Sequence, residues 1–294
     1  MTLIDRKMDS WSEKLTFVIP VFNGEKSISK TIESILSAVA CRIIVIDDGS
    51  TDNTVMIAKK HFVECYSIKN TGAYNARAFG ASLVSTEFTM LLDSDDFLNE
   101  DFVLALEFLD EHKSALAVIG AYLSIGRHYK RRNYQKVSKL DLNSLIIRQS
   151  GYAPISASIW RTTGLVDALN HSVRPLALQR SDDYELFIRT LMIGEVLTCT
   201  HMIIDYSVVG GKSTQNFEAS VQSSVEIAMY YAKNIGLEIL PLTNRIQIAL
   251  ATYRRLQVIL YSKGRFQVYL QFLKSLSDLY YFSVARKYIR NNQR

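Results

Sequence analysis

The residues of this chain best suited to chemistry are aspartates that come in short runs. The runs contain Asp47 and Asp48, then Asp93, Asp95 and Asp96, and finally Asp182 and Asp183. In the middle run three carboxylates fall within four residues, so they repel one another unless a cation lies between them. Hard divalent ions such as Mg²⁺ or Mn²⁺ prefer oxygen ligands and are held by one or two carboxylates together with substrate phosphates. The pattern therefore indicates a nucleoside-diphosphate substrate, with a metal cofactor that neutralises charge on the leaving diphosphate.

Hydrophobic segments predict the elements that position the first two runs. Strands are predicted at residues 15–20, 42–46, 64–68 and 88–92. Helices are predicted at 25–40, from the turn at 47–52 to residue 60, and at 71–83. This alternation is typical of an α/β fold with a mostly parallel, Rossmann-like central sheet flanked by helices. Ligands bind at the carboxyl ends of such strands, so the first two runs should meet in one crevice. One run alone would be ordinary turn chemistry, whereas two at equivalent places favour a site.

Five motifs follow one another in a fixed order between residues 15 and 214. They read FVIPVFNGE at 17–25, IVIDDGSTD at 44–52, NTG at 70–72 followed by Arg77, LDSDD at 92–96, and SDDYEL at 181–186 followed by Arg189. In this order and spacing they resemble the motifs of the family 2 glycosyltransferases of the GT-A fold. The resemblance implies transfer of a sugar from a nucleotide donor, with a UDP-sugar favoured, to a glycan or lipid-linked acceptor of the bacterial surface.

The resemblance also implies roles for single residues on the donor side. The nucleotide-sugar-binding set would be Pro20, Val21, Phe22, Asn23, Glu25, Asp48, Gly72, Arg77, Asp93 and Ser94, to which we add Lys212 from this chain's own sequence. Asp48 would read the uracil N3–H, because a carboxylate accepts that hydrogen bond. Gly72 would allow close backbone approach, and Arg77 would lie near the base or the diphosphate. Asp95 is the first choice for ribose and metal contact, and Asp96 is the next metal ligand.

On the acceptor side the resemblance implies that Asp183 is the general base, with Asp182 as the second acid of the pair. A single base opposite a metal-stabilised leaving group implies one displacement with inversion at the anomeric carbon. Both acids could instead cap the helix predicted at 184–192, and Asp182 is the better candidate for that. The family often has a histidine in the segment after the base; here Lys212, on a glycine-rich loop, would contact the diphosphate as a point charge.

Other interpretations of the same residues stay open. A sugar-1-phosphate nucleotidyltransferase would share the architecture, but it needs a glycine-rich loop after the first strand that this chain lacks. A non-catalytic membrane-associated adaptor would depend on the basic carboxyl-terminal segment alone. Tyr152 and Trp160, in a segment that resembles the acceptor-facing strand, could stack on a sugar ring or fill the core.

Composition and charge predict two parts. The chain has 294 residues, of which 48 % are hydrophobic, and a formal charge of +5. From Arg245 onward it holds ten Lys and Arg but a single acid, so we predict a catalytic domain at 1–215 and a basic helical appendage at 216–294. That appendage could form a homodimer or bind the anionic inner leaflet of a membrane. No nucleic-acid motif, secretory signal or long apolar run is present, which predicts a cytoplasmic protein, peripheral on the membrane where the appendage binds it.

Overall fold

The computed structural model describes residues 11–125, 130–133, 136–148, 153–171, 180–207 and 217–237. These residues form two compact units, the first made of 11–142 and 153–207 and the second of 143–148 and 217–237. Lys212, Tyr152 and the appendage beyond residue 237 lie outside the described residues. The predicted boundary between residues 215 and 216 stays a prediction.

The first unit is built on one sheet, whose ten strands alternate with helices along the chain. The strands are β1 Leu15–Val21, β2 Arg42–Asp47, β3 Glu64–Ser67, β4 Phe88–Leu91, β5 Phe97–Leu98, β6 Ala115–Ile125, β7 Lys130–Asn133, β8 Ser138–Lys139, β9 Ser158–Arg161 and β10 Glu195–Ser207. The helices of the first unit are α1 Ile28–Ala38, α2 Thr54–Lys59, α3 Ala73–Ser82, α4 Phe102–Glu111, α6 Thr162–Leu169 and α7 Asp182–Ile193; α5 Leu142–Arg148, apart from its first residue, and α8 Phe217–Asn234 belong to the second unit. Helix α5 crosses from one unit to the other at its first residue. None of the described helices has the length and hydropathy needed to span a membrane.

Eight of the ten strands follow the order β3-β2-β1-β4-β9-β6-β10-β5, while β7 pairs with β6 and β8 pairs with β10. Strands β3, β2, β1 and β4 are parallel, as the β-branched runs predict. Strand β9 then inserts antiparallel between β4 and β6, while β6 and β10 are parallel to each other. The sheet is therefore parallel in one half and mixed in the other. Because β1, β2, β4, β6 and β10 run in the same direction, their carboxyl ends lie along one edge.

Helices pack tightly against this sheet. In α3 a small residue is required at Gly80, where an added Cβ would lie 2.3 Å from Cγ1 of Val18 in β1. At the other half, Trp160 of β9 is fully buried and stacks on Phe187 of α7, with ring centroids 5.3 Å apart. Of the two roles left open for Trp160, the structure therefore assigns the core rather than a sugar platform. The stack also fixes α7 against the sheet.

Candidate active site

The loops that follow β1 and β2 are joined by hydrogen bonds. Asn23, which has φ 53°, forms hydrogen bonds through its backbone and its side chain. Its N–H donates to Ser50 Oγ at 2.9 Å, and its Oδ1 accepts from the N–H of Thr51 at 2.8 Å. The N–H of Gly24 donates to Thr54 Oγ1 at 2.8 Å. These bonds connect residues about 30 positions apart in the chain, so the two loops form one surface at the edge of the sheet.

Glu25 extends this connection. Its N–H donates to Asp52 Oδ2, and its Oε2 accepts from the N–H of Asn53, both at 3.2 Å. Pro20 and Val21 are buried within β1, and Phe22 is half-buried just beyond it. The backbone and polar side chains of residues 23–25 therefore hold the loops after β1 and β2 together. The nucleotide contacts predicted for residues 20–25 stay predictions.

Asp47 and Asp48 are both buried at the end of β2. Asp48 accepts the N–H groups of Thr71 at 2.7 Å and Gly72 at 2.9 Å, one on each carboxylate oxygen. Gly72 has φ 95° and ψ 160°, a conformation that is essentially restricted to glycine. Asp48 Oδ1 also accepts from Thr71 Oγ1 at 3.4 Å, whereas Oδ2 accepts only the bond from Gly72 among the described residues. Asp48 therefore keeps the capacity to bind a ligand donor through Oδ2, as predicted for uracil.

Arg77 joins the acid run after β4 to the acid pair that opens α7. It is buried on α3, and its Nη2 donates to Asp93 Oδ1 at 2.5 Å while its Nη1 donates to Asp182 Oδ2. Burial alone would lower its pKa, but the charges of Asp182 and Asp93 outweigh that effect and raise the pKa above its usual value. Asp182 is therefore an ion-pair partner in the first turn of the helix. The expectation that it caps α7 is wrong, because Ser181 is the N-cap and makes no capping hydrogen bond with its side chain.

The run after β4 contains carboxyl groups that are poorly solvated. The N–H of Asp93 donates to Ser156 Oγ at 3.0 Å, and the Asp96 Oδ1 accepts from the N–H of Ser207 at 3.0 Å. Burial, followed by the charge of Asp93, raises the pKa of Asp95 to about 6 and that of Asp96 well above its usual value. Within the described residues, Asp96 Oδ2 is buried without a hydrogen-bond partner.

Ser94 brings the end of β4 close to the loop after β1. Its carbonyl accepts from Thr31 Oγ1 of α1 at 2.9 Å. A Cβ added to Gly24 would lie 3.5 Å from Ser94 Oγ and 2.5 Å from Cγ2 of Val21. A residue larger than glycine would therefore disturb this approach. The predicted donor-side residues of the first loop and of the acid run thus meet at one edge of the sheet.

Asp183 is a buried acid whose pKa lies close to neutral pH. Loss of contact with water, followed by the negative charge of Asp182, raises the pKa of Asp183 to about 7. Its Oδ1 accepts the N–H of Tyr184 at 2.7 Å, and Arg77 acts in the opposite direction by favouring the charged form. A carboxyl group with such a pKa can exchange a proton with a substrate near physiological pH.

The carboxylates of the run after β4 are the candidate ligands of a metal ion. Among the described residues, no group of three or more His, Cys, Asp and Glu side chains is arranged to hold an ion by itself. Asp95 and Asp96 nevertheless fit a hard divalent ion, because they offer poorly solvated oxygens, one of them unpartnered. A site with one or two protein carboxylates takes its remaining ligands from water and substrate phosphates.

The comparison with protein families agrees with this geometry. The family model described as "Glycosyl transferase family 2" matches residues 16–165, just over half of the chain. The chain belongs to glycosyl transferase family 2. The match covers the strand ends that carry the first two acid runs, and the pair at 182–183 lies beyond it.

Two of the curated proteins that the chain resembles are bacterial glycosyltransferases. Glycosyltransferase GlyG of Streptococcus pneumoniae is 30 % identical over 154 residues, which cover 48 % of this chain and 51 % of GlyG. The poly(ribitol-phosphate) β-N-acetylglucosaminyltransferase TarS of Staphylococcus aureus is 28 % identical over 183 residues, 58 % of this chain and 31 % of TarS. The chain thus spans about half or less of the length of these curated relatives.

A solved structure of TarS residues 1–349 from S. aureus, in complex with UDP-GlcNAc, shares the fold of this family 2 chain. Its TM-score is 0.59 at 20 % identity, and the likeness covers 90 % of this chain and 80 % of that one. At this identity the likeness establishes the GT-A fold.

Sequence reasoning missed three residues of this family 2 site. Ser156 and Ser207 hold Asp93 and Asp96 through the hydrogen bonds given above. Tyr206 packs edge-on against Tyr122, with ring centroids 5.9 Å apart. Burial and then the nearby acids, Asp96 first, raise its pKa, so its phenol stays protonated as a hydrogen-bond donor among carboxylates. These residues lie far along the chain from the acids, and no local spacing marks them.

Proposed function

We propose that the chain is an inverting glycosyltransferase, which moves a sugar from a nucleotide-diphosphate donor, UDP-linked by preference, to an acceptor hydroxyl of a glycan or glycolipid. The observation that carries the proposal is the junction of two acid groups through Arg77. One group is poorly solvated and suited to a diphosphate and its metal, and the other contains an acid poised near neutral pH. A donor-binding half and a base are the two parts that such a transfer needs.

Asp183 is the general base of this proposal. With a pKa of about 7 it is largely charged in slightly alkaline solution and accepts the proton of the acceptor hydroxyl. The hydroxyl oxygen then forms a bond to the anomeric carbon while the bond from that carbon to the diphosphate oxygen breaks. A single displacement of this kind inverts the anomeric configuration, and it needs no carboxylate nucleophile.

Asp95 and Asp96 would hold a Mn²⁺ or Mg²⁺ ion in this reaction. A bound ion neutralises the negative charge of the leaving diphosphate. The chain's own contribution is to hold this run at the end of β4: the N–H of Ser207 binds the Asp96 carboxylate, Ser156 Oγ accepts the N–H of Asp93, and burial favours a cationic partner. Lys212 stays a predicted contact of the diphosphate.

The names of the relatives support the choice of donor and acceptor class. TarS is named as an N-acetylglucosaminyltransferase that acts on poly(ribitol-phosphate), and one of its structures is titled as a complex with UDP-GlcNAc. We therefore propose a UDP-sugar donor and a bacterial surface glycan or its lipid-linked precursor as acceptor. Such an acceptor would be met at the cytoplasmic face of the membrane, and the basic appendage would bind that surface or a second copy of the chain.

Calorimetric titration tests the donor half of the proposal. UDP, GDP, CDP and ADP would each be titrated with and without Mn²⁺ into the wild type and Asp95→Ala. We expect UDP to bind most tightly, and this binding to need both the ion and Asp95. Preference for GDP would contradict the role of Asp48 in reading uracil. A folded protein that binds none of the four nucleotides would contradict the catalytic proposal and favour an adaptor.

A screen of UDP-sugars with short glycan acceptors, followed by UDP release, tests the transfer itself. Asp183→Asn should lower kcat by about 10²–10⁴-fold, the usual contribution of a general base. Asp110→Asn is the matched control, because Asp110 makes only an exposed helical ion pair with Lys113 in the described structure. Proton NMR of the product gives its anomeric configuration, and retention would contradict the single displacement.

A further inference from the structure

Arg77 makes a contact between two parts of the site that are remote in sequence. One of its partners, Asp93, is 16 residues away and follows β4, while the other, Asp182, is 105 residues away and is the first residue of α7. Asp183, the proposed base, is the next residue of that helix. The guanidinium therefore connects the end of the donor-side strand directly to the turn that carries the base.

The type of residue suits this connection. A guanidinium is planar and donates along several fixed directions, so one group can satisfy two carboxylates at a set angle. A lysine ammonium carries the same charge as a compact point and does not fix that angle. In the described part of the chain, no other cation forms an ion pair with Asp93 or Asp182. The relative placement of these two carboxylates therefore depends on Arg77.

We propose that Arg77 is a positioning residue, which holds Asp182 against Asp93 and thereby sets the distance of Asp183 from the donor-side acids. The inference rests on the proposed function and deepens it. It differs from the role that the family resemblance implies, in which Arg77 contacts the base or the diphosphate. Both Nη groups of Arg77 bind aspartates and its side chain is buried, so its interactions are with other groups of the protein.

The two roles predict different kinetics. An arginine that contacts the nucleotide contributes to donor affinity, so its loss raises the donor KM. An arginine that positions the base acts on the reacting geometry, so its loss lowers kcat at saturating donor and acceptor. A displacement of about 1 Å at a reacting group can cost about 100-fold in rate, and we expect Arg77→Lys and Arg77→Gln to lower kcat by that order.

The experiment is a double-mutant cycle of Arg77→Gln and Asp182→Asn, measured as kcat with UDP-sugar and acceptor at saturation. If Arg77 acts through Asp182, the second substitution should cost less than about threefold once the first is present. Arg42→Gln is the matched control, since Arg42 also pairs with a carboxylate, Glu64, but at the amino-terminal end of β2. Independent effects that multiply, or a raised donor KM with unchanged kcat, would overturn the proposal.

A second measurement does not depend on turnover. Hydrogen–deuterium exchange of the α7 amides should be faster in Arg77→Lys than in the wild type, with α1 unchanged. Arg77→Lys keeps the charge, so it serves where Arg77→Gln fails to fold. Unchanged exchange in α7 would overturn the positioning role even if the enzyme is active. If the wild type transfers no sugar but α7 loosens in the variant, the proposed function fails while the structural connection stands.

Discussion

The pH dependence of transfer follows directly from the surroundings of Asp183. Burial and the charge of Asp182 raise its pKa to about 7, and a general base must be deprotonated to work. Activity should therefore rise with pH and level off above 7. When kcat/KM for the acceptor is plotted against pH, the midpoint of the rise gives the pKa of the base in the enzyme before the acceptor binds.

The size of the effect can be worked out from that pKa. At pH 6, one unit below it, about one tenth of Asp183 carries charge, so kcat/KM should be about tenfold below the plateau. At pH 8 about nine tenths is charged, and the rate should lie close to the plateau. The assay is UDP release in saturating Mg²⁺ and donor, at low acceptor, from pH 5 to pH 9.

Asp182→Asn provides the matching perturbation. It removes the neighbouring negative charge that helps to raise the pKa of Asp183, so the midpoint of the profile should move to lower pH. Asp110→Asn, remote from the acids, should leave the midpoint where it is. A wild-type profile that is flat from pH 5 to pH 9, or one with a midpoint near the ordinary value of about 4, would refute the reasoning from burial.

Other consequences concern stability and metal binding. Gly80→Ala should cost about 1–3 kcal/mol of unfolding free energy by overpacking α3 on the sheet. Gly72→Ala should cost about 1–3 kcal/mol through backbone strain alone, since the space around it is open. Trp160→Ala should cost about 3–5 kcal/mol by opening a cavity. Chemical denaturation checks all three, and losses below about 0.5 kcal/mol would contradict the packing and strain arguments. Asp95 and Asp96 hold protons in the folded state that the unfolded chain has already lost, so stability should fall as pH rises from about 4 past 6. Mg²⁺ should then raise the melting temperature more at pH 8 than at pH 5, and an equal shift at both would contradict this.

Local pattern was sufficient to predict the parallel half of the sheet. The β-branched run at Arg42–Asp47 predicted a buried strand. Because that strand ends where the run ends, the sequence also predicted that Asp47 and Asp48 lie at its carboxyl end. The antiparallel insertion of β9 could not be predicted, because a four-residue strand has no period that reveals its direction. The role of Trp160 could not be predicted either, because its burial depends on Phe187, which lies in a helix further along the chain.

The site shows the same division. The resemblance selected Arg77 and Asp182 as site residues, but their ion pair joins positions 105 residues apart and depends on the packing of α3 and α7. A helix cap was a reasonable local interpretation of Asp182, and it failed because α7 begins at Asp182 itself, with Ser181 in the N-cap position, and the Asp182 carboxylate pairs with Arg77. Tyr206 had no local signal, since the acids near it come from two distant parts of the chain, the run after β4 and the first turn of α7.

The hydrogen bonds between the loops after β1 and β2 have a consequence for the entropy and the rate of ligand binding. Asn23, Gly24 and Glu25 are held in place by hydrogen bonds within the protein itself. A nucleotide that binds there does not have to order these loops, so it saves the conformational entropy that an unstructured loop would lose. Association on this face should resemble that of a rigid receptor, with a single fast phase and a rate that rises linearly with nucleotide concentration.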